Sequence, residues 1–159
     1  MDQKIIVRRA TLGDAEIITG LNRAMALETE GITLAEETSA YGVRQPFKDP
    51  SLGLYIVAQC DESIVGSLMI TTEWSDWRGG DFWWIQSVYI RPEFRRQGVY
   101  RSLYRFVQEL VAADPGVCGV RLYAELDNKR AQKTYKVLGM EQLDYIMFEQ
   151  LKDGLEFLQ

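Results

Sequence analysis

Residues Val88–Tyr104 read VYIRPEFRRQGVYRSLY, an apolar run followed by a glycine turn and the start of an amphipathic stretch. The first turn of a helix exposes backbone N–H groups that have no partner, and a glycine lets a ligand approach them closely. Charged guanidinium groups beside such a turn favour an anion over a neutral ligand. The alternative is an ordinary strand-to-helix connection with solvated arginines. Around Gly98 stand Arg91, Arg95, Arg96 and Arg101.

The whole-chain composition limits which anion this turn could serve. Neither a GxxxxGK[ST] loop nor a GxGxxG fingerprint after the first strand is present, so the two common nucleotide loops are excluded. A net charge of −5 argues against a nucleic-acid partner. The absence of histidine excludes Ser-His and Cys-His catalysis and most zinc sites, so we expect no metal.

The hydrophobic pattern predicts one α/β domain over residues 1–159. Hydrophobic residues make up 47% of the chain, and no apolar run reaches the length of a membrane span. We therefore expect a soluble, cytoplasmic protein without a membrane partner. Strands are predicted at residues 5–10, 54–60, 64–74, 82–90, 117–126 and 140–150. Helices are predicted at residues 11–30, 98–113 and 128–138. A further helix is predicted to begin at a capping box formed by Thr33 and Glu36 and to run to about Phe47, with Pro46 and Pro50 closing it.

Two stretches together resemble the motifs of the GNAT superfamily of acyl-CoA-dependent N-acyltransferases. In the first, the strand end and x-P-E-[YF]-R lead into [RQ]-x-x-G-x-[GA], which here reads RRQGVY over residues 95–100. In the second, LYAELDNKRAQKTYKVLGM over residues 122–140 matches a strand followed by N-x-x-A-x-x-x-Y-x-x-x-G-[FM]. The order of predicted elements agrees with the family over nearly the whole chain. The resemblance implies a mixed, mostly antiparallel sheet with a splayed parallel strand pair and helices on both faces.

The resemblance also implies that the anion is the pyrophosphate of coenzyme A, with acetyl-CoA as the acyl donor. The splayed strand would hold the pantetheine arm and thioester carbonyl, and the turn would wrap the pyrophosphate. The sequence departs from the motif at Tyr100, where the family has a small residue. The implied cofactor-binding residues are Val88, Tyr89, Ile90, Arg95, Arg96, Gln97, Gly98, Val99, Tyr100, Arg101 and Asn128.

Tyr135 matches the family's general acid, which protonates the departing CoA thiolate; from periodicity alone it would be a packing residue of the last helix. A phenol of pKa about 10 keeps its proton at neutral pH and can fill that role. Many relatives have a glutamate base where this chain has Gln86, which cannot accept a proton usefully. Glu73, Asp81, Glu125 or a water relay remain as alternatives. Cys60 and Cys118 lie in predicted strands and are expected to be inert.

The acceptor site is expected beside the first helices and the tryptophan-rich loop. Acidic residues outnumber basic ones between Asp14 and Arg44, which would suit a cationic amine but equally describes solvated helix faces. Trp74 and Trp77 flank a loop and could form a cation–π wall or simply pack. The predicted acceptor is a small-molecule amine, a peptide N-terminus or a lysine. The residues predicted to line its site are Glu28, Trp74, Trp84, Gln86 and Tyr145.

Two functions remain open from the sequence. Tyr135 and Asn128 favour an active N-acetyltransferase that works by direct attack of a primary amine. Gln86 and Tyr100 favour a catalytically weak CoA-binding sensor or interaction module. Many members of the family form dimers, so a homodimer is also an expectation.

Overall fold

The computed structural model describes residues 4–155 and 157–158, which form two compact units. The first unit extends to Arg121 and includes residues 157–158, whose backbone pairs with the loop after the first helix through the bridge between Leu34 and Leu158. The second unit begins at Leu122. The expectation of a single domain over 1–159 therefore stays a prediction.

The first unit is built on one five-stranded sheet with the strands in sequence order. The first four strands pair antiparallel, and the fourth pairs parallel with the fifth. This mixed sheet confirms the predicted fold class. The strands are β1 Ile5–Arg9, β2 Leu54–Cys60, β3 Ser63–Ser75, β4 Gly80–Ile90 and β5 Val117–Arg121.

Three helices of the first unit cover both faces of the sheet: α1 Ala15–Glu30, α2 Glu36–Lys48 and α3 Val99–Ala113. Tyr55 and Val57 of β2 pack against α1 and α2, while the fully buried Ile56 between them points to the opposite face. Helix α3 packs on β1, β2 and β3. The second unit holds α4 Lys129–Val137. None of the described helices is long and apolar enough to cross a membrane.

Helix α2 begins later and ends later than predicted. Its N-cap is Ala35, without a side-chain cap, so the predicted capping box at Thr33 was wrong. Pro46 lies inside the helix rather than closing it. The proline sits in the last turn, where the chain loses one backbone hydrogen bond but still continues to Lys48.

Two predicted strands were also wrong in extent or in kind. β5 ends at Arg121 instead of Leu126, and residues 140–150 form no strand. A strand needs a neighbour for its backbone hydrogen bonds, and β5 pairs with β4 only as far as Trp84 and Arg121. Periodicity shows which side chains are apolar, but it does not show whether a neighbouring strand is present to accept the backbone hydrogen bonds.

A β-bulge in β4 shapes the end of the sheet. Met69 pairs with Gln86 and Ser67 pairs with Tyr89, so Leu68 faces two residues, Ser87 and Val88. Ser87 adopts the left-handed conformation with φ 50°. A bulge bends its strand and increases the twist. Beyond Trp84, β4 continues through this bulge to Ile90 without its parallel neighbour, which is the splay that the resemblance implied.

A buried carboxylate fixes the start of α1. Asp14 accepts hydrogen bonds from Arg8 Nη1 at 2.7 Å and Nη2 at 3.0 Å, and from the Thr11 backbone N–H at 2.7 Å. The Arg8 guanidinium, more than any other group, lowers the pKa of Asp14 to about 2. These bonds connect β1 to the short turn Leu12–Asp14 that leads into α1.

We expect Asp14→Asn to destabilise the protein by about 2 kcal/mol at pH 7, since one pKa unit corresponds to about 1.4 kcal/mol. Because the folded pKa lies below the unfolded one, this contribution is fully present above about pH 4 and disappears as the pH falls towards 2. Urea unfolding of both proteins at pH 7 and pH 3 measures the difference.

The matched control is Glu16→Gln, which removes an exposed carboxylate from the first turn of α1. We expect its effect at pH 7 to be within about 0.5 kcal/mol, as for other surface substitutions. An Asp14→Asn protein as stable as the control would show that the Arg8 bond does not hold the helix start.

Candidate active site

The turn before α3 presents backbone N–H groups that no described residue accepts. Arg96 and Gly98 have positive φ values of 64° and 80°, and Gly98 is the N-cap of α3. The hydrogen bonds among the described residues do not engage the N–H groups of Arg96, Gln97 or Gly98. Helix α3 begins at Val99, and the start of a helix exposes backbone N–H groups. Left-handed residues at alternate positions are typical of anion-binding turns.

Arg95 and Glu28, which the sequence assigned to the cofactor and to the acceptor, are bonded to each other. Arg95 Nη1 and Nη2 donate to the Glu28 carboxylate at 2.6 and 2.9 Å, and Arg95 Nε donates to the carbonyl of Ile90 at 2.9 Å. The Tyr89 hydroxyl donates to Glu28 at 3.0 Å. The bond to Arg95 lowers the pKa of Glu28, and burial raises that of Tyr89. This cluster connects the last turn of α1 to the end of β4.

The remaining side chains of the turn point to other partners. Gln97 Nε2 donates to the Glu93 carbonyl at 2.8 Å, and Arg96 is exposed. Tyr100 stacks on Tyr104, one helical turn later, with ring centroids 6.2 Å apart. The positive charges of Arg96 and Arg101 both lie at the surface beside the turn.

A cavity of about 260 Å³ lies between α1, α2 and the bulged strand. Its lining includes Asn22, Tyr55 and Ser87. The Oδ1 atom of Asn22 is buried, and no donor in the described parts of the chain reaches it. Burial raises the pKa of Tyr55, and a hydrogen bond from Asn22 partly offsets this. The cavity therefore combines an apolar wall with an unused hydrogen-bond acceptor.

Sequence reasoning missed this cavity's polar residues. Asn22 interrupts the apolar stripe formed by Ile18, Leu21 and Met25, and a polar residue in such a stripe was the available signal. Ser87 gives no comparable signal, because its left-handed conformation depends on the register of β3 against β4.

The predicted acceptor residues Trp84 and Gln86 of β4 form side-chain hydrogen bonds to residues of β3. Gln86 Nε2 donates to Thr71 Oγ1, and Trp84 Nε1 donates to Glu73 at 2.8 Å. Glu73 also accepts from Arg121 at 3.2 Å, so this candidate base carries two donors. Trp74 is 65% exposed at the end of β3 and does not line the cavity.

The other predicted site residues belong to the second unit. Asn128 caps α4, with its Oδ1 accepting from the Ala131 N–H at 3.0 Å. Tyr135 is half-buried in α4, and burial raises its pKa above 10. Tyr145, predicted on a last strand, lies in a segment without regular structure and is 81% exposed.

The two cysteines differ in exposure. Cys60 is buried, which raises the pKa of its thiol, whereas Cys118 is exposed on β5. Within residues 4–155 and 157–158, no three His, Cys, Asp or Glu side chains come together as metal ligands would.

Two curated proteins named as acetyltransferases are similar in sequence to part of this chain. Thialysine N-epsilon-acetyltransferase of Bos taurus is 38% identical over 81 residues, and that of Sus scrofa 39% over 71 residues. These alignments cover 50% and 44% of this chain, and 46% and 40% of the relatives. The chain thus matches less than half the length of the curated relatives.

Solved structures match over a greater length. A protein described as "a possible acetyltransferase" from Clostridium difficile 630 is 38% identical with a TM-score of 0.86, over 93% of this chain and 97% of that one. An aminoglycoside N-acetyltransferase, AAC(6')-Iy, solved in complex with CoA, has a TM-score of 0.77 at 16% identity, covering 96% and 97% of the two chains. At that identity the likeness shows the fold alone.

A family model extends across most of the chain. The model of the acetyltransferase (GNAT) family, whose members use acetyl-CoA as acyl donor, matches residues 21–140. That range includes the open turn before α3, the bulged strand β4 and the helix that carries Tyr135. The chain belongs to the GNAT family of acetyltransferases.

Proposed function

We propose that the protein is an acetyl-CoA-dependent N-acetyltransferase that acts on a primary amine. The observation that carries the proposal is that the free end of β4 separates the cavity from the open turn along the chain. Ser87 lines the cavity, Val88 to Ile90 follow it, and the unbonded N–H groups of residues 96–98 come after the short turn Pro92–Phe94. An amine in the cavity and an anion in the turn would therefore be connected by the splayed end of β4.

The residues of the turn fit the pyrophosphate of coenzyme A. We assign it to the backbone N–H groups from Arg96 to Arg101, with the Arg96 guanidinium adding charge. The charge of Arg95 is balanced by Glu28, so we propose that Arg95 holds in place the chain that leads into the turn. The free edge of Val88, Tyr89 and Ile90 would receive the pantetheine arm. Asn128 is proposed as a contact to the cofactor from the family motif alone. Bound acetyl-CoA supplies a thioester whose carbonyl carbon the amine nitrogen attacks, releasing the thiol.

The residues of the cavity suit a cationic amine. Asn22 Oδ1 is an acceptor without a donor, and an ammonium group offers three N–H donors. At about 260 Å³ the cavity has room for a slender aliphatic amine, such as a lysine-like side chain. The thialysine N-epsilon-acetyltransferase activity named for the curated relatives agrees with this class of acceptor. Gln86 cannot take the ammonium proton, so we propose that water or one of Glu73, Asp81 and Glu125 accepts it before the neutral amine attacks.

Tyr135 is proposed as the general acid that gives its hydroxyl proton to the CoA thiolate. Burial raises its pKa, so the phenol remains protonated through the neutral and mildly alkaline range. A tyrosine that has lost its proton cannot perform this step. The activity that depends on Tyr135 is therefore present at neutral pH and is lost only above about pH 10.

The acceptor assignment predicts turnover of acetyl-CoA with lysine-like amines and a specific loss in Asn22→Leu. Removing the acceptor oxygen should raise KM for the amine roughly tenfold, since a hydrogen bond to a charged group contributes about 1.5–3 kcal/mol. The dissociation constant of CoA should not change. Thiol release against lysine, thialysine, polyamines and lysine peptides, together with calorimetric titration of CoA, measures both quantities.

Thr29→Val is the control, because Thr29 is on the same helix but bonds only to the Met25 carbonyl and does not line the cavity. Binding of CoA without turnover on any amine would instead support the sensor module that Gln86 and Tyr100 suggest. Equal KM values for Asn22→Leu and the control would remove Asn22 from the acceptor site.

The general-acid assignment predicts that Tyr135→Phe lowers kcat by about 10²-fold, the lower range for loss of a general acid. The dissociation constant of CoA should stay within twofold, because the aromatic ring is retained. Tyr123→Phe is the control, being another tyrosine of the second unit. Unchanged kcat in Tyr135→Phe would exclude the role, as would an equal loss in the control.

The turn assignment predicts that Arg96→Glu weakens CoA binding about tenfold and that the loss diminishes at high salt, because the contact is an exposed charge. Calorimetric titration of CoA at about 50 mM and about 500 mM salt measures this difference, because charges are screened over a shorter distance at the higher salt concentration. Arg105→Glu reverses an exposed charge within α3, beyond the turn, and should leave binding unchanged. Equal affinities for the two variants would place the pyrophosphate elsewhere.

A further inference from the structure

A second cavity, of about 330 Å³, lies on the face of the sheet that α3 covers. Its lining residues are Arg9, Trp83, Leu110, Ala113, Asp114 and Pro115. Arg9 of β1 pairs with Ile56 of β2, and residues opposite each other in a sheet share a face. Ile56 points away from α1 and α2. The sheet therefore separates this cavity from the one proposed for the acceptor.

The cavity is also remote from the open turn before α3. It borders Ala113, the last residue of α3, whereas Gly98 caps the beginning of the helix. A helix of 15 residues is about 22 Å long. A small ligand in this cavity would therefore occupy a site distinct from both parts of the proposed acetyltransferase site.

Arg9 gives the cavity a positive charge. It is exposed, and its guanidinium forms neither an ion pair nor a hydrogen bond with the residues that the structure describes. The neighbouring Arg8, in contrast, points to the other face of the sheet and donates to Asp14 at 2.7 Å. A guanidinium group can hold a carboxylate through two parallel hydrogen bonds. Arg9 is therefore available to a ligand that carries a carboxylate.

The end of α3 gives the cavity a negative charge. Asp114 follows the helix, and its Oδ1 atom accepts from the Gly116 N–H at 2.9 Å. Pro115 has no N–H, and the Val117 N–H donates to the Asp114 carbonyl at 3.2 Å. The residues that follow the helix therefore leave its last two carbonyl groups without a donor from this connection. These carbonyls and the Asp114 carboxylate favour an ammonium group, as the C-terminus of a helix does in general.

The rest of the lining is apolar. Trp83 is 7% exposed, and Leu110, Ala113 and Pro115 add aliphatic surface around it. Small-molecule sites are typically lined by apolar side chains, with a few polar groups that fix the orientation of the ligand. The lining therefore suits a ligand that carries an apolar group beside its charges.

We propose that this cavity binds a free α-amino acid with an apolar side chain. Arg9 and Asp114 do not pair with each other, so each is left for a ligand group of the opposite charge. An α-amino acid carries both groups on one carbon atom. Its carboxylate binds Arg9, its ammonium group binds Asp114 and the end of α3, and its side chain lies against Trp83. This binding does not depend on the acetyltransferase activity.

The test is a titration of the protein with L-leucine and L-phenylalanine, followed by NMR through the indole N–H signals of the four tryptophans. The variant Trp83→Phe identifies which of these signals belongs to Trp83. We expect both amino acids to shift that signal. Leucinamide, which lacks the carboxylate, and N-acetylleucine, which lacks the ammonium group, should each bind at least about tenfold more weakly, because each loses hydrogen bonds to a charged group.

The variants Arg9→Gln and Asp114→Asn should each weaken the binding of leucine about tenfold for the same reason. Asparagine retains an oxygen for the Gly116 N–H, so the end of α3 keeps its hydrogen bond. The controls are Arg105→Gln and Glu109→Gln, which remove exposed charges of α3 that pair with each other and do not line the cavity. Both controls should bind leucine as the wild-type protein does, and circular dichroism verifies that every variant is folded.

Several outcomes would overturn the proposal. One is a Trp83 signal that neither amino acid shifts, and another is an affinity for leucine in Arg9→Gln and Asp114→Asn equal to that of the controls. Equal affinities for leucine, leucinamide and N-acetylleucine would show that the ligand is not recognised as an amino acid. The variant Asn22→Leu should bind leucine normally, and a loss there would place leucine in the acceptor cavity instead.

Discussion

The structure of the first unit depends on one extra residue in β4. Two residues, Ser87 and Val88, stand opposite Leu68, and the strand bends where the pairing accommodates them. As far as Trp84, β4 is a central strand between β3 and β5. Beyond Trp84 it keeps β3 but has left β5, and its free backbone leads to the turn before α3. The bulge places Ser87 in the cavity lining and lies within the free edge.

The sequence predicted much of this arrangement because its signals are local. Gly98 and the surrounding arginines indicate an anion-binding helix start, and the structure places the helix at Val99 with Gly98 as its N-cap. The apolar alternation of β2, β3 and β4 likewise predicts strands within a few residues of their ends. The resemblance to the GNAT family then supplied the order of pairing and the splay, which no local pattern contains.

What the sequence could not predict depends on pairs of residues far apart in the chain. Glu28 and Arg95 are 67 positions apart, and nothing local indicates that each is the other's partner. The conformation of Ser87 depends on the register with β3. Residues 140–150 look like a strand by periodicity, yet a strand exists only where a backbone edge receives it. Asn22 was the one missed residue with a visible signal, a polar side chain within an apolar stripe.

The Glu28–Arg95 bond has a consequence for how the two ligands of such a site influence each other. The arginine stands beside the anion-binding turn, and the carboxylate belongs to the helix that borders the cavity. A phosphate that drew Arg95 towards itself would leave Glu28 with an unbalanced negative charge on the side of the amine. Binding of the anion would then increase the attraction for a cation, and thermodynamic reciprocity requires the converse. One salt bridge would thus make two oppositely charged ligands cooperative without any change of fold.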